Sequence, residues 1–157
     1  MRGTTETWHR FWRLSGFERR VALEAAAALV ATWAGLRLVG FRRWRATLAW
    51  FAPSAAACIT EQDSTDAAHV IARVEKSAAN HLFFRVNCLE QSLTLWWLLH
   101  RRGIAAELRI GARKDAGRFE AHAWVKSSGV VLNDAGESHL HFVPFDGPVG
   151  AVETQTP

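Results

Sequence analysis

The sequence is poor in cysteine, because only Cys58 and Cys88 occur among its 157 residues. Two cysteines cannot form the disulfide framework of a small secreted domain. The pattern of a signal peptide is also not seen, because Glu6 and Glu18 precede any apolar run and no cleavage site follows one. We therefore expect a protein of the reducing cytoplasm.

Long apolar runs and glycine-rich loops are scarce as well. The most apolar stretch, residues 25–36, lies between Glu24 and Arg37 and is shorter than the ~20 residues that span a bilayer. We expect no membrane-spanning helix. No glycine loop of the phosphate-binding kind is present, so the sequence does not indicate nucleotide binding. Peripheral membrane contact stays open, because several tryptophans alternate with arginines: Trp8, Trp12, Trp33 and Trp44.

The amino acids that are present are those of a globular domain, with 49% hydrophobic and 22% charged residues. Tyrosine is absent, and eight tryptophans and nine phenylalanines suggest apolar contact surfaces. A net charge of +4 suits an acidic partner, an anionic membrane, nucleic acid or a solvated helix face, and of these we do not expect nucleic acid to be the partner. Most of this charge comes from arginines in the first third of the chain: Arg10, Arg13, Arg19, Arg20, Arg37, Arg42, Arg43 and Arg45.

The first half of the chain has the pattern of helices. Ser15 and Glu18 form a capping box that opens a helix to about residue 40. A second basic helix is predicted for residues 42–51, before Pro53, and a third for residues 67–79. Residues 53–65 are rich in Ala, Ser and Thr and are predicted to be a linker.

From Asn87 onward the pattern changes from helix to strand. Asn87 is a good N-cap for an apolar helix over residues 88–102, which Gly103 stops. Alternating residues then predict strands at 105–112, 119–126, 130–132 and 139–143. Helices followed by an antiparallel meander indicate an α+β fold. We expect a helical N-terminal extension over residues 1–60, a core over residues 61–148 and a flexible tail over residues 149–157.

Three residues in this second half have the types and order of a nucleophile, a base and an orienting acid. Cys88 lies in the first turn of its helix, where free N–H groups and the helix dipole favour a thiolate. His122 lies on a strand, and Asp134 follows the next strand, which a tight turn brings alongside. Cys88, His122 and Asp134 are therefore the candidate catalytic triad.

Each member also has a simpler structural interpretation. A lone cysteine at a helix start is usually a small buried residue, and an aspartate after Asn133 is often a turn former. Cys58 has no downstream histidine or aspartate pattern and is interpreted as structural. His139 and His141 share one face of the predicted strand and could hold a metal, but no cysteine or carboxylate pattern accompanies them. Metal and cofactor are accordingly not expected.

Four segments resemble the leader peptidases of lasso-peptide biosynthesis. They are residues 88–95 (CLEQSLTL), 98–104 (LLHRRGI), 122–125 (HAWV) and 129–134 (GVVLND). Gly111 fits the glycine that ends a strand in this pattern, and the resemblance covers about residues 85–134. It implies a transglutaminase-like, papain-type core in which Cys88 is the nucleophile, His122 the acid–base and Asp134 the orienting residue.

The resemblance also implies a function and partners. Such enzymes cut the leader from a ribosomally made precursor peptide, after which a separate cyclase closes the new N-terminus. Residues before Asn87 lack the alternating pattern of a recognition domain, so we expect a separate leader-recognition protein. Two rival functions remain open: a transglutaminase-like acyl transfer to an amine, and a non-catalytic peptide-binding role. The second oxyanion donor is unassigned, since Gln62 lies upstream of Cys88 without a motif around it.

Overall fold

The first part of the fold consists of three helices. The computed structural model describes residues 15–52, 61–115, 117–134 and 136–145. Helix α1 spans Gly16–Leu38, α2 spans Phe41–Trp50 and α3 spans Glu61–Asn80. The capping box at the start of α1 is confirmed, because the Ser15 hydroxyl accepts from the Glu18 N–H at 3.1 Å and the Glu18 carboxylate accepts from the Ser15 N–H at 3.0 Å.

Gly35 allows α2 to pack closely on α1. A Cβ atom at this position would lie 2.2 Å from the Trp44 ring of α2, so any larger residue would displace that ring. The chain turns between the two helices at Gly40, whose φ of 79° suits glycine. The first two helices are thereby held as a hairpin with Trp44 against the backbone of α1.

The second part of the fold is one further helix and a small sheet. Helix α4 spans Cys88–His100, and the strands are β1 (Glu107–Asp115), β2 (Arg118–Ser127), β3 (Val130–Val131) and β4 (Val143–Pro144). The strand order is β3-β2-β1-β4, and all pairs are antiparallel. A 3₁₀ helix, Ser138–His141, precedes β4. The predicted α+β fold is confirmed.

Helix α4 lies at the centre of the molecule, packed against α1, α3 and the sheet. It is apolar on almost every side, as a helix enclosed by other elements should be. The core unites both halves of the chain in one cluster, because α4 contacts both the helices before residue 61 and the sheet. Members of this cluster include Val21, Ala25, Ile71, Leu93, Leu95, Leu98, Leu99, Leu108 and Val125.

Helix α1 is longer than the apolar stretch at its centre. Its 23 residues are long and apolar enough to cross a membrane by length and composition, and it is the one such helix in the described ranges. A core helix passes the same test, and α1 buries Val21, Ala25, Leu29 and Thr32 against its neighbours. The expectation that no helix spans a membrane stays a prediction, since a buried core helix has the same length and composition.

The structure also corrects three local predictions. Residues 61–65 belong to α3 and not to a linker, since acidic residues such as Asp63 favour a helix start. His139 and His141 lie in the 3₁₀ helix and not on a strand, because the chain turns at Glu137, whose φ is 56°. Gly111 lies in the middle of β1 and does not end it. The proposed linker at residues 53–60 and the tail lie outside the described residues, as does Cys58.

Candidate active site

Cys88 is the first residue of α4, as the sequence predicted. The side chain of Asn87 accepts a hydrogen bond from the Glu90 N–H at 3.1 Å, and the Glu90 carboxylate accepts from the Asn87 N–H at 2.8 Å. This second capping box fixes the helix start and leaves the N–H groups of the first turn directed out of the helix. The Cys88 thiol is free and partly exposed.

Arg37 of α1 forms an ion pair with Glu90, a member of the capping box that precedes Cys88. Glu90 is only 1% exposed, and its second carboxylate oxygen, Oε1, accepts from Arg37 Nη1 at 2.8 Å. The Arg37 guanidinium also lies 4.3 Å from the centre of the Trp33 ring. Because Arg37 is half exposed, we regard this pair mainly as the partner that a buried carboxylate needs.

Two polar residues join α4 to the strand of His122. Ser92, one turn after Cys88, donates from Oγ to the carbonyl of Ala123 at 2.9 Å. Asn133 donates from Nδ2 to Ser92 Oγ at 2.8 Å, while its Oδ1 accepts from the Val125 N–H at 2.8 Å. The side chain of Asn133 thus takes the place of a strand partner for β2 beyond the end of β3. Sequence reasoning missed both roles, although Asn133 stands beside the predicted Asp134.

These hydrogen bonds bring the neighbourhoods of the three candidate residues together. Ala123 follows His122, Asn133 precedes Asp134, and Ser92 shares a helix face with Cys88 because the two are four residues apart. His122 Nε2 lies 3.6 Å from Asp134 Oδ1. This distance is longer than a hydrogen bond, and Nε2 is buried without a hydrogen-bond partner among the residues described.

Asp134 has a second histidine partner, His139, which sequence reasoning did not connect to the site. Oδ2 of Asp134 accepts from the His139 backbone N–H at 2.5 Å and lies 2.7 Å from His139 Nδ1. Burial alone would raise the pKa of Asp134, but the two hydrogen bonds from His139 and the charges of His122 and His139 lower it below its usual value. Asp134 is therefore an anion that can stabilise a charged imidazole.

Aromatic rings enclose His122. Its ring centre lies 6.0 Å from that of Trp124, nearly parallel to it, and 5.2 Å from that of Phe142. Gly111, which pairs with His122 across the sheet, leaves room for the Trp124 ring and for the chain at Phe142, since a Cβ there would lie 2.9 Å from the Trp124 ring and 3.1 Å from Phe142 Cβ. The mid-strand position of Gly111 is thus explained by the packing around His122.

No group of three or more potential metal ligands occurs among the described residues. His139, one of the two histidines considered for a metal, has its Nδ1 on Asp134. The side chain of Gln62 lies outside the described part of the chain. A thiol at a helix start, a histidine and a carboxylate form the set that nucleophilic acyl transfer requires.

Residues 35–145 match the family model of the transglutaminase-like superfamily. The chain belongs to this superfamily. No curated protein and no solved structure matches it.

Proposed function

We propose that the chain is a cysteine peptidase that removes the leader from a lasso precursor peptide. The superfamily contains cysteine peptidases and acyltransferases, and its typical members are cysteine-dependent enzymes. The observation that carries the proposal is the capped helix start at Cys88, tied through Ser92 and Asn133 to the pair of His122 and Asp134. The lasso assignment itself comes from the motif resemblance of residues 85–134.

In the proposed mechanism Cys88 and His122 share the chemistry. The Cys88 thiolate attacks the scissile carbonyl, and the imidazolium of His122 protonates the leaving amine, which releases the new N-terminus. Water, deprotonated by His122, then attacks the thioester, frees the leader acid and restores the thiol. Asp134 stabilises the positive charge on His122 during both steps. The Cys88 N–H at the start of α4 is the first oxyanion donor.

Two rival functions differ in what happens to the thioester. Transfer to an amine would leave the acyl group on a new amide, and the same triad supports it. A peptide-binding protein without activity would form no thioester at all. The anionic state of Asp134 favours catalysis, because a pure scaffold gains nothing from a carboxylate placed beside a buried, unpartnered imidazole nitrogen.

A separate leader-recognition protein is the proposed partner. All regular elements before Cys88 in the described ranges are helices, so they do not supply the strands of a recognition domain. A surface groove of about 580 Å³ between α1, the end of α2 and the end of α4 is a candidate docking place, with aromatic and arginine side chains on its walls. Residues lining it are Phe17, Arg20, Glu24, Phe51, Arg101 and Arg102. We propose a cytoplasmic location for the protein and the lasso cyclase as a second partner.

Mass spectrometry of candidate precursor peptides tests the function. The chain is incubated with each full-length precursor, with and without the co-encoded recognition protein, and with an added primary amine. Hydrolysis gives the leader as a free acid, whereas acyl transfer gives the leader amide of the amine. Leader acid that forms with the wild type and not with Cys88→Ala supports the peptidase. A leader amide as the main product identifies an acyltransferase, and no Cys88-dependent product with any precursor contradicts both.

A further inference from the structure

We propose that His139 is a positioning residue, which holds the Asp134 carboxylate so that one oxygen faces His122. The proposal rests on the proposed chemistry of Cys88, His122 and Asp134. His139 lies outside the motif segments, and its role follows from its contacts alone.

The two oxygens of Asp134 have different partners. Oδ2 receives both contacts from His139, at 2.5 Å from the backbone nitrogen and 2.7 Å from Nδ1. In the part of the chain that the structure describes, Oδ1 has only His122 Nε2 as a polar neighbour, at 3.6 Å. The terminal torsion of an aspartate has broad preferences, so the carboxylate plane needs external hydrogen bonds to fix it. Among the described residues His139 provides those bonds.

Asp134 also determines which nitrogen of the His139 ring carries a hydrogen. A carboxylate only accepts hydrogen bonds, and the lowered pKa of Asp134 keeps it ionised. Nδ1 of His139 therefore carries the hydrogen of the 2.7 Å contact. An asparagine at this position can offer an amide N–H at about the place of Nδ1, while an alanine cannot.

The backbone conformation before His139 explains how these contacts form. The chain passes through Glu137 in the left-handed conformation and then forms one turn of 3₁₀ helix, which directs the His139 N–H towards Asp134. The His139 ring centre lies 5.8 Å from that of Trp124, the residue that also stacks near His122. Both histidines therefore share Asp134 and Trp124, and His139 acts on His122 through Asp134.

A chemical probe of Cys88 tests the proposal without a peptide substrate. The rate of Cys88 alkylation by iodoacetamide, read by mass spectrometry of the Cys88 peptide, reports how well His122 supports the thiolate. We expect His139→Ala to slow alkylation about tenfold, because Asp134 loses one of its two charge-assisted hydrogen bonds. His139→Asn should restore most of the rate, and His141→Ala, on the same 3₁₀ turn but exposed, should match the wild type.

Three results would overturn the proposal. One is a wild-type rate in His139→Ala, and another is an equal loss in His139→Ala and His139→Asn at unchanged melting temperature. The third is a ¹⁵N NMR spectrum of the wild type in which His139 Nδ1 carries no proton. This test does not depend on whether His139→Ala folds. In a cleavage assay kcat should follow the alkylation rates while KM stays constant.

The probe separates this proposal from the proposed function. If no precursor is cut but alkylation depends on His122 and His139 as described, the peptidase assignment fails and the positioning role stands. If precursor is cut equally well by His139→Ala and the wild type, the positioning role fails and the peptidase assignment stands.

Discussion

Glu75 on α3 is a buried acid for which the structure provides no hydrogen bond. Its side chain is 0% exposed, and both carboxylate oxygens are buried without a hydrogen-bond partner in the described residues. Burial raises the pKa of Glu75 to about 8, only partly opposed by the charge of Lys76. Glu75 is therefore protonated in the folded protein at neutral pH.

The raised pKa makes the stability of the protein depend on pH in a defined direction. In the unfolded chain Glu75 loses its proton near pH 4.5, whereas in the fold it keeps the proton up to about pH 8. The contribution of Glu75 to the stability is fully present below pH 4.5 and falls as pH rises through this window, by up to about 1.4 kcal/mol per pH unit. At pH 7 the accumulated loss is about 3 kcal/mol, a large part of the ~5–15 kcal/mol that domains have.

Glu75→Gln removes the titration while keeping the shape of the side chain. We expect this variant to be about 2 kcal/mol more stable than the wild type at pH 7, because an amide does not lose a proton on unfolding. The gain is smaller than the full value of about 3 kcal/mol, since a buried amide also lacks hydrogen-bond partners. The gain should grow from pH 5 to pH 8 and correspond to a melting temperature about 5 °C higher at pH 7.

Urea unfolding followed by tryptophan fluorescence at pH 5, 6, 7 and 8 measures these free energies. Asp115→Asn, at an exposed position, controls for the loss of one carboxylate and should leave the pH dependence of the wild type unchanged. The reasoning is refuted if Glu75→Gln and the wild type have parallel stability curves over this range. Parallel curves would mean that Glu75 is ionised in the fold and finds compensation there.

Three further predictions concern the site. Cys88→Ala should abolish peptide cleavage at unchanged circular dichroism, whereas Cys58→Ser should keep it; cleavage by Cys88→Ala would disprove the nucleophile assignment. Arg37→Met should lower the free energy of unfolding in urea by about 1 kcal/mol, because the buried carboxylate of Glu90 loses its half-exposed ion-pair partner, and an unchanged value would show that solvent replaces the guanidinium. Gly111→Ala should cost about 1–3 kcal/mol and slow Cys88 alkylation, because its Cβ would lie 2.9 Å from Trp124 and from the Val143 carbonyl oxygen; full stability in the same assay would contradict that crowding.

Features that depend on neighbours in sequence were predictable. The capping box at Ser15 and the N-cap at Asn87 are both visible in the sequence, and the structure confirms both helix starts. The hairpin of β1 and β2 follows from alternation, and the proximity of His122 and Asp134 follows from the adjacent turn. Their catalytic roles, with that of Cys88, stay predictions.

Features that depend on how the elements pack were not predictable. The contact of His139 with Asp134 requires a left-handed backbone at Glu137. The sequence did not indicate this turn, because the alternation of residues 139–143 predicted a strand. The burial of Glu75 depends on how α1 and α4 cover α3, and no periodic pattern marks an acid as buried. The need for glycine at position 111 depends on the close approach of Trp124 on β2 and of Phe142 just before β4.

Helix α1 is bonded near both ends of α4, at Glu90 through Arg37 and at Arg102 through Glu24, with N–O distances of 2.8 and 2.6 Å. The superfamily match begins at residue 35, inside α1, so a shortened protein starting there would keep Arg37 and lose Glu24. It would also lose the buried face of α1, formed by Val21, Ala25, Leu29 and Thr32, and leave the apolar surfaces of α3 and α4 open to water. Exposed apolar surface of this kind promotes aggregation. The smallest piece of the chain that we expect to fold as a soluble unit therefore begins no later than Ser15, well before the start of the family match.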